Sequence, residues 1–271
     1  MRPLLPLIAP QNPDVWRRRP AAHMLGSAVA KGLSVSNSAS TGAGKSILIV
    51  GASRGLGRAM AAEFATRGWS VVGAVRAAKT PLHALAAERP DKVEVEMLDM
   101  TDHDQIRSLR DRLSGRLFDI VFINGGIVNR TPSDTMADVS TEEFVNVMLT
   151  NVLGVMRAVE HLGVLARPGG VIGVMSSGQG SIANNASGAN DVYRASKAAL
   201  NQSMSSYAGR HAGEGRAIVL MAPGWIRTEL GGPGAPFGVE EVMPQIVDVL
   251  AAQQGRPGLR FLDRNGDTVP W

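Results

Sequence analysis

Two residues that could move a proton, Tyr193 and Lys197, stand four positions apart. This spacing places both side chains on one face of a helix. A free phenol has a pKa of about 10, and a neighbouring cation lowers that pKa by stabilising the phenolate. Ser176 and Ser177 end an earlier apolar run, where a hydroxyl could hold a substrate carbonyl. The pattern indicates proton transfer to or from a substrate oxygen.

A glycine-rich segment, Gly51-Ala52-Ser53-Arg54-Gly55-Leu56-Gly57, separates the first apolar run from the first helical pattern. Glycines in such a turn let a pyrophosphate approach backbone N–H groups, and the N-terminus of the following helix adds positive potential. The spacing Gly-x-x-x-Gly-x-Gly differs from the Gly-x-Gly-x-x-Gly dinucleotide fingerprint. The segment favours a dinucleotide site, with a plain glycine-rich turn as the alternative.

The same segment also spells Gly-x-Ser-x-Gly, the nucleophile elbow of serine hydrolases, with Ser53 as nucleophile. Such an elbow should follow several strands and be joined by a histidine late in the chain. Here it follows the first strand, and the last histidine is His211, within a helical pattern. A serine hydrolase is therefore a remote alternative. The five histidines show no metal-ligand spacing, so no metal is expected.

Strand-length apolar runs alternate with helical patterns from Ser46 onward. The predicted strands are 47–50, 70–75, 93–98, 120–123, 171–175, 217–221 and 260–262. The predicted helices are 58–67, 82–88, 101–113, 141–165, 191–211 and 239–252. Repeated strand–helix alternation predicts an α/β fold, a single Rossmann-type doubly wound parallel sheet of about seven strands with helices on both faces.

The basic charge is concentrated at the start of the chain. Residues 1–46 carry six basic side chains and one acidic one, which leaves 22 basic and 23 acidic for the other residues of the 271. The folded body therefore has no charge reason to bind nucleic acid. Residues 1–45, rich in Pro, Arg and Ser, are predicted to be a disordered or targeting extension, or sequence upstream of a true start at Met24. The folded domain is predicted over 46–271.

Composition also limits the location and partners of the protein. The absence of cysteine excludes a disulfide scaffold, a thiolate metal site and a cysteine nucleophile, and it fits a reducing compartment. No stretch approaches the ~18 uninterrupted apolar residues of a membrane helix. We therefore expect a cytoplasmic protein without membrane contact.

Seven motifs in order resemble the short-chain dehydrogenase/reductase family over about residues 46–271. They are the three loop glycines, Asp99 after the third strand, Asn124-Gly125-Gly126, Asn151, Ser177, the Tyr193/Lys197 pair, and Pro223-Gly224-Trp225-Ile226-Arg227-Thr228. The segment Ser176 to Leu200 and the ending Phe261-Leu262-Asp263 … Pro270-Trp271 are most similar to the branch of C-factor-like proteins and small carbonyl reductases.

The resemblance implies an NADP(H)-dependent enzyme that interconverts a small-molecule carbonyl and an alcohol. It implies that Tyr193 donates the proton, that Lys197 lowers the pKa of Tyr193 and holds the nicotinamide ribose, that Ser177 polarises the carbonyl, and that Asn151 positions a water. It implies cofactor contacts from Gly51, Ser53, Arg54, Gly55, Leu56, Gly57, Arg76, Asp99, Met100, Asn124, Gly125, Gly126, Tyr193, Lys197, Pro223, Gly224, Ile226 and Thr228. By analogy, a homodimer or homotetramer is expected.

The end of the second strand bears on the choice between NADPH and NADH. An NAD enzyme of this fold needs a carboxylate there for the adenosine ribose hydroxyls. The expected position is Val75, Arg76 follows it, and no Asp or Glu occurs between Phe64 and Glu88. Guanidinium groups from Arg76 and Arg54 suit a 2′-phosphate, which predicts NADPH. The alternative is that Arg76 is only a solvated charge.

The sequence departs from the family pattern at three places. Val50 stands where the family has Thr, and Ile123 stands where it has the first Asn of Asn-Asn-Ala-Gly. Replacing both sides of a buried polar contact can be nearly neutral, so we interpret the pair as a matched repacking. Ser177 lies 16 positions before Tyr193, which enlarges the loop 178–190. A catalytically silent dinucleotide sensor on this fold is the alternative function, although such a protein does not need the phenol.

Overall fold

Seven parallel strands form the sheet on which the site is built. The computed structural model describes residues 44–186 and 188–271. The strands are β1 (Ser46–Val50), β2 (Ser70–Val75), β3 (Val93–Met97), β4 (Phe118–Ile123), β5 (Ala166–Met175), β6 (Ala217–Ala222) and β7 (Gly258–Asp263). Their order is β3-β2-β1-β4-β5-β6-β7, with every neighbouring pair parallel. The order reverses between β1 and β4, and in such sheets ligands bind at the carboxyl ends of the strands at that point.

Helices cover both faces of the sheet. They are α1 (Gly55–Thr66), α2 (Pro81–Glu88), α3 (His103–Arg112), α4 (Thr141–Met148), α5 (Val155–Leu162), α6 (Asp191–Arg210) and α7 (Val239–Ala251). Alternate strand residues point to opposite faces, so Leu48 packs in the core beside α3, α5 and α6, whereas Ile47 packs beside α1, α2 and α7. The predicted fold class is confirmed.

The predicted single helix 141–165 is interrupted. A π-helical turn, Leu149–Gly154, separates α4 from α5, and a 3₁₀ turn follows α5. A Cβ on Gly154 would lie 2.8 Å from Met100 O, so the chain passes unusually close to the end of β3 here. By length and apolar composition Thr141–Leu165 would suffice to cross a membrane, but half of its apolar window is buried, as in a core helix.

The start of the folded body lies slightly before the predicted boundary at residue 46. Lys45 O accepts a hydrogen bond from Ser70 N at 2.9 Å, and the Lys45 ammonium lies 5.3 Å from the Trp69 ring centroid. Lys45 therefore belongs to the folded part. The predictions for residues 1–43 lie outside the described residues.

Candidate active site

The glycine loop packs directly on the segment that follows β4. Asn124 Nδ2 donates to Gly51 O at 3.0 Å, and Asn124 N donates to Val50 O at 2.8 Å. Gly51 has φ of +85°, and a Cβ there would lie 2.8 Å from Gly125 N. A Cβ on Gly57 would overlap Gly51 O and would lie 2.7 Å from Asn124 Nδ2. The loop and the Asn124-Gly125 segment therefore fit together only with glycine at these positions.

The residues present fit a bound dinucleotide. Helix α1 begins at Gly55 without a capping side-chain hydrogen bond and without an acidic residue in its first turn, so its first N–H groups face outward with positive potential. Within residues 44–186 and 188–271, the buried Asn124 Oδ1 has no hydrogen-bond partner. Free N–H donors at a helix start suit a pyrophosphate, and the free amide oxygen suits a ribose hydroxyl.

The two apolar departures from the family pattern are neighbours. Val50 and Ile123 pair in register across β1 and β4 and are 2% and 0% exposed. Both belong to the same hydrophobic core cluster. This arrangement supports the interpretation of a matched repacking, because the two apolar residues occupy paired positions on neighbouring strands.

Helix α6 and the end of β5 bring three predicted catalytic residues together. Ser177 follows β5, and its hydroxyl hydrogen-bonds Tyr193. Lys197 Nζ donates to Met175 O at 2.9 Å and lies 5.7 Å from the Tyr193 ring centroid. A Cβ on Gly126 would lie 3.3 Å from Lys197 Nζ, which brings the glycine segment after β4 against the same cluster.

Burial sets the protonation of this pair, in a direction opposite to the sequence-based expectation for the phenol. Burial raises the pKa of Tyr193 to about 12, and the hydrogen bond from Ser177 offsets this only in part. Burial lowers the pKa of Lys197 to about 8. We expected Lys197 to lower the pKa of Tyr193. The structure differs because desolvation of the buried phenol is the largest influence on its pKa. At neutral pH the phenol therefore carries its proton and can donate it.

Asn151 lies in the π-helical turn and is fully buried. Its Nδ2 donates to Ile127 O at 2.8 Å and to Ser196 Oγ at 3.0 Å, and its Oδ1 accepts from Ile127 N at 2.8 Å. Both amide N–H groups are therefore used to join α6 to the segment after Gly126. A water held at this residue, as predicted, would bond Oδ1 or the main chain.

The segment after β6 closes over the glycine loop. A Cβ on Gly55 would lie 3.8 Å from Thr228 Cγ2, and Thr228 Oγ1 accepts from Gly231 N at 3.0 Å. Glu229 forms an ion pair with Arg54 of the loop. Ile226 is buried and bridges to Phe237. The contacts between Gly55 and Thr228 and between Arg54 and Glu229 therefore bring the two segments together.

The remaining predicted cofactor residues lie at the ends of β2 and β3. Arg76 follows β2 directly, is exposed, and forms no ion pair within the described ranges. Asp99 Oδ1 accepts from Thr101 N at 2.9 Å and from Thr101 Oγ1 at 2.7 Å. Met100 packs on Gly125, where a Cβ would meet its Sδ at 2.8 Å. All of these residues belong to the carboxyl edge of the sheet.

Nothing in the described part of the chain supports the hydrolase alternative. Each histidine there bonds elsewhere: His83 to Thr80, His103 to His161, and His211 to Glu214. None is available as the base for Ser53. No group of three or more potential metal ligands occurs in these residues either.

The comparisons with known proteins agree with this geometry. Residues 45–235 match the family described as short chain dehydrogenase. The chain belongs to the short-chain dehydrogenase/reductase family. It is 36% identical over 196 residues to the NADPH-dependent pterin aldehyde reductase of Arabidopsis thaliana, covering 69% of this chain and 77% of that protein. It is 31% identical over 138 residues to the C-signal protein of Myxococcus xanthus, covering 50% and 83%.

Solved structures of this family superpose closely on the chain. A short-chain dehydrogenase/reductase of Burkholderia multivorans with bound NADP is 58% identical, with a TM-score of 0.83 over 84% of this chain and 99% of that one. A carbonyl reductase of Pseudomonas aeruginosa PAO1 in complex with NADP is 33% identical, with a TM-score of 0.78 over 84% and 100%. The family, the fold and the assignment as an NADP-dependent oxidoreductase are thereby confirmed.

Sequence reasoning missed three residues that the structure ties to this site. Asn201 lies one helical turn after Lys197, and that spacing could have identified it. Glu229 follows the predicted Thr228, but its pairing with Arg54 depends on contacts distant in the chain. Ile127 acts only through its main chain, so its residue type carries no signal.

Proposed function

We propose that this oxidoreductase reduces small-molecule aldehydes or ketones with NADPH, or oxidises the corresponding alcohols. The observation that supports it is the cluster at the carboxyl end of β5, where the Ser177 hydroxyl bonds Tyr193 and Lys197 lies beside the same phenol. This cluster adjoins the Gly125-Gly126 segment on which the glycine loop packs. A proton donor and a dinucleotide loop side by side are what carbonyl reduction requires.

In the proposed mechanism the side chains bind the substrate oxygen and supply its proton. Ser177 donates a hydrogen bond to the carbonyl oxygen and orients it. Tyr193, protonated at neutral pH because its pKa is raised to about 12, transfers its proton to that oxygen as negative charge develops on it. Lys197, with its cationic charge beside the phenol, stabilises the resulting phenolate. Asn151 fixes the segment after Gly126 against α6 and so keeps the cluster in place.

NADP(H) when bound supplies or accepts the hydride at the carbonyl carbon. We assign its pyrophosphate to the glycine loop and the start of α1, its 2′-phosphate to Arg76 and Arg54, and its carboxamide to Thr228. We assign further contacts to Ser53, Leu56, Asp99, Met100, Asn124, Pro223, Gly224 and Ile226. Retention of the phenol, the lysine and Ser177 together favours an enzyme over a silent sensor.

Exposed apolar side chains in the segments that follow β5 and β6 favour substrates with an apolar or aromatic part. Trp225, in the segment that closes over the glycine loop, is 59% exposed, and its Nε1 donates to Gly231 O at 2.8 Å, which holds the ring. Ile182, in the loop after Ser177, is 78% exposed. Because one relative is a pterin aldehyde reductase, a pterin aldehyde belongs in the substrate set beside simple aromatic aldehydes and ketones.

The test is a screen for NADPH consumption with these carbonyls, followed by Tyr193→Phe. The substitution should lower kcat by about 10²–10⁴, the usual worth of general acid catalysis, and should leave the Kd for NADPH within about twofold. Tyr207→Phe is the matched control, because Tyr207 is the other tyrosine of α6 and is buried in the core. Unchanged kcat in Tyr193→Phe would place the acid elsewhere. NADPH binding without turnover on any carbonyl would favour the silent sensor.

A cytoplasmic location and a homodimer or homotetramer stay predictions. Fractionation of cells that express the protein and a solution measurement of its mass test them.

A further inference from the structure

The buried side-chain amide of Asn201 hydrogen-bonds residues on both sides of Ser177 in the chain. Asn201 Oδ1 accepts from Ser176 Oγ at 2.6 Å, and Asn201 Nδ2 donates to Gly180 O at 3.2 Å. Ser176 precedes Ser177 directly, and Gly180 ends the 3₁₀ turn Gly178–Gly180 that follows it. Asn201 is 3% exposed and Ser176 is 2% exposed, so neither bond is shared with bulk solvent.

The turn after Ser177 packs against α6 so closely that there is no room for a Cβ on Gly180. A Cβ on Gly180 would lie 2.9 Å from Asn201 Nδ2 and 3.0 Å from Lys197 Cβ. Within the turn, Ser177 Oγ accepts from Gln179 N at 3.1 Å, which ties the hydroxyl to the same backbone. The position of the Ser177 oxygen therefore depends on how this turn sits on the helix.

Helix α6 carries three residues that hold the end of β5 and the turn after it in place. Tyr193, Lys197 and Asn201 follow one another at intervals of four residues along α6. The first bonds Ser177, the second bonds Met175 O at the end of β5, and the third bonds Ser176 and Gly180. An asparagine suits this place because its side-chain amide can accept from the Ser176 hydroxyl and donate to the Gly180 carbonyl at the same time.

We propose that Asn201 is a positioning residue for the reaction: it fixes Ser177 relative to Tyr193 by clamping the residues on either side of it. The inference rests on the proposed function, in which Ser177 orients the carbonyl. A misplacement of about 1 Å in such a group can cost about 10² in rate. Asn201 itself touches neither substrate nor cofactor in this scheme.

The experiment is a double-mutant cycle on kcat with Asn201→Ala and Ser177→Ala, alone and combined. Asn201→Ala should lower kcat by about 10–100-fold and leave the Kd for NADPH, measured by fluorescence titration, within about twofold. If Asn201 acts through Ser177, adding Asn201→Ala to Ser177→Ala should lower kcat by less than about threefold. If the double variant instead loses the product of the two single-variant reductions in kcat, the proposal is overturned.

Met204→Ala is the control for general damage to α6, because Met204 is fully buried on the same helix in the core. It should lower the melting temperature, and its effect on kcat should be small and independent of Ser177. Should Asn201→Ala not fold, Ser176→Ala removes one of the two clamped bonds and enters the same cycle. Unchanged kcat in Ser177→Ala would instead refute the proposed role of Ser177, so the two failures are distinguishable.

Discussion

At the scale of single residues, Lys197 is a buried lysine whose charged form is disfavoured by desolvation. It is 2% exposed, and the hydrogen bond to Met175 O is the one polar contact found for it among the described residues. Desolvation lowers its pKa from 10.5 to about 8. Buried ionisable groups with shifted pKa values are typical of functional sites, where they cost stability. Lys197 is therefore expected to destabilise the cofactor-free protein.

Lys197→Met should raise the melting temperature of the cofactor-free protein at pH 7 by several degrees while abolishing turnover. A lowering of the pKa from 10.5 to about 8 corresponds to about 3 kcal/mol, part of which the lost hydrogen bond offsets. Between pH 8 and 10.5 the unfolded chain binds more protons at this lysine than the folded one, so wild-type stability rises with pH there. The advantage of the variant should therefore shrink across that window.

Melting curves of both proteins at pH 7, 8, 9 and 10 measure this difference. Tyr193 and Tyr207, whose pKa values are both raised to about 12 by burial, are shared by the two proteins and largely cancel. A difference that stays constant with pH would mean that Lys197 is not desolvated as the structure indicates.

Arg76→Ala should weaken NADPH binding about tenfold or more and leave NADH binding nearly unchanged. The loss of a charge-assisted contact to the 2′-phosphate costs about 1.5–3 kcal/mol, and NADH has no such phosphate. Arg76 is exposed and has no ion-pair partner within the described residues, so its guanidinium is available. Lys79→Ala, an exposed cation three residues on, is the matched control in the same titrations. Equal losses for both cofactors would refute the assignment.

At the scale of elements, the glycine loop and the start of α1 act as one unit with the end of β4. A Cβ would not fit on Gly51, which packs against Gly125, or on Gly57, which packs against Gly51 and Asn124. The helix start is left without a capping side chain. The close packing of the glycine loop on the end of β4 fixes the N–H groups at the uncapped start of α1. An anion that binds there therefore loses less free energy to the ordering of the loop.

Gly57→Ala should weaken NADPH binding at least tenfold and lower the melting temperature, because the added methyl group would overlap Gly51 O and move the loop. Gly209→Ala is the matched control. Gly209 lies in α6, has no positive φ, and an added Cβ there meets nothing within 4 Å. It should leave binding unchanged and raise the free energy of unfolding by up to about 1 kcal/mol. Titration and thermal melting of both variants test this, and intact binding in Gly57→Ala would contradict the loop geometry.

At the scale of the whole molecule, the sheet order places the two halves of the site next to each other. The glycine loop follows β1 and the catalytic serine follows β5, with β4 between them. The strands are buried on both faces by separate groups of helices, so the carboxyl edge of the sheet is where a ligand can reach them.

Deletion of residues 1–43 should leave melting temperature, NADPH affinity and turnover unchanged. This segment is rich in Pro, Arg and Ser and shows neither helical nor strand periodicity, so we expect no element of it to join the core. The deletion keeps Lys45, whose carbonyl bonds Ser70 N and whose ammonium lies over Trp69. A fall of several degrees in melting temperature would show that the segment packs on the folded body.

The sequence by itself determined the fold class, the cofactor loop and the order of the site residues. These are local signals: apolar periodicity defines strands and helices, and the glycine spacing and the four-residue Tyr193–Lys197 interval are written in adjacent residues. The lack of an acid after β2 predicted NADP(H) in the same way, and the family relatives bear that out.

Only the tertiary structure decided how the site residues are held and charged. Burial, which raises the pKa of Tyr193 rather than lowering it, depends on what packs around the phenol and not on the lysine four residues on. The π-helical turn at Asn151 and the clamp of Asn201 on Ser176 and Gly180 join segments far apart in the chain. Desolvation and long-range hydrogen bonds depend on which segments pack together in the core, so a local pattern of residues cannot predict them.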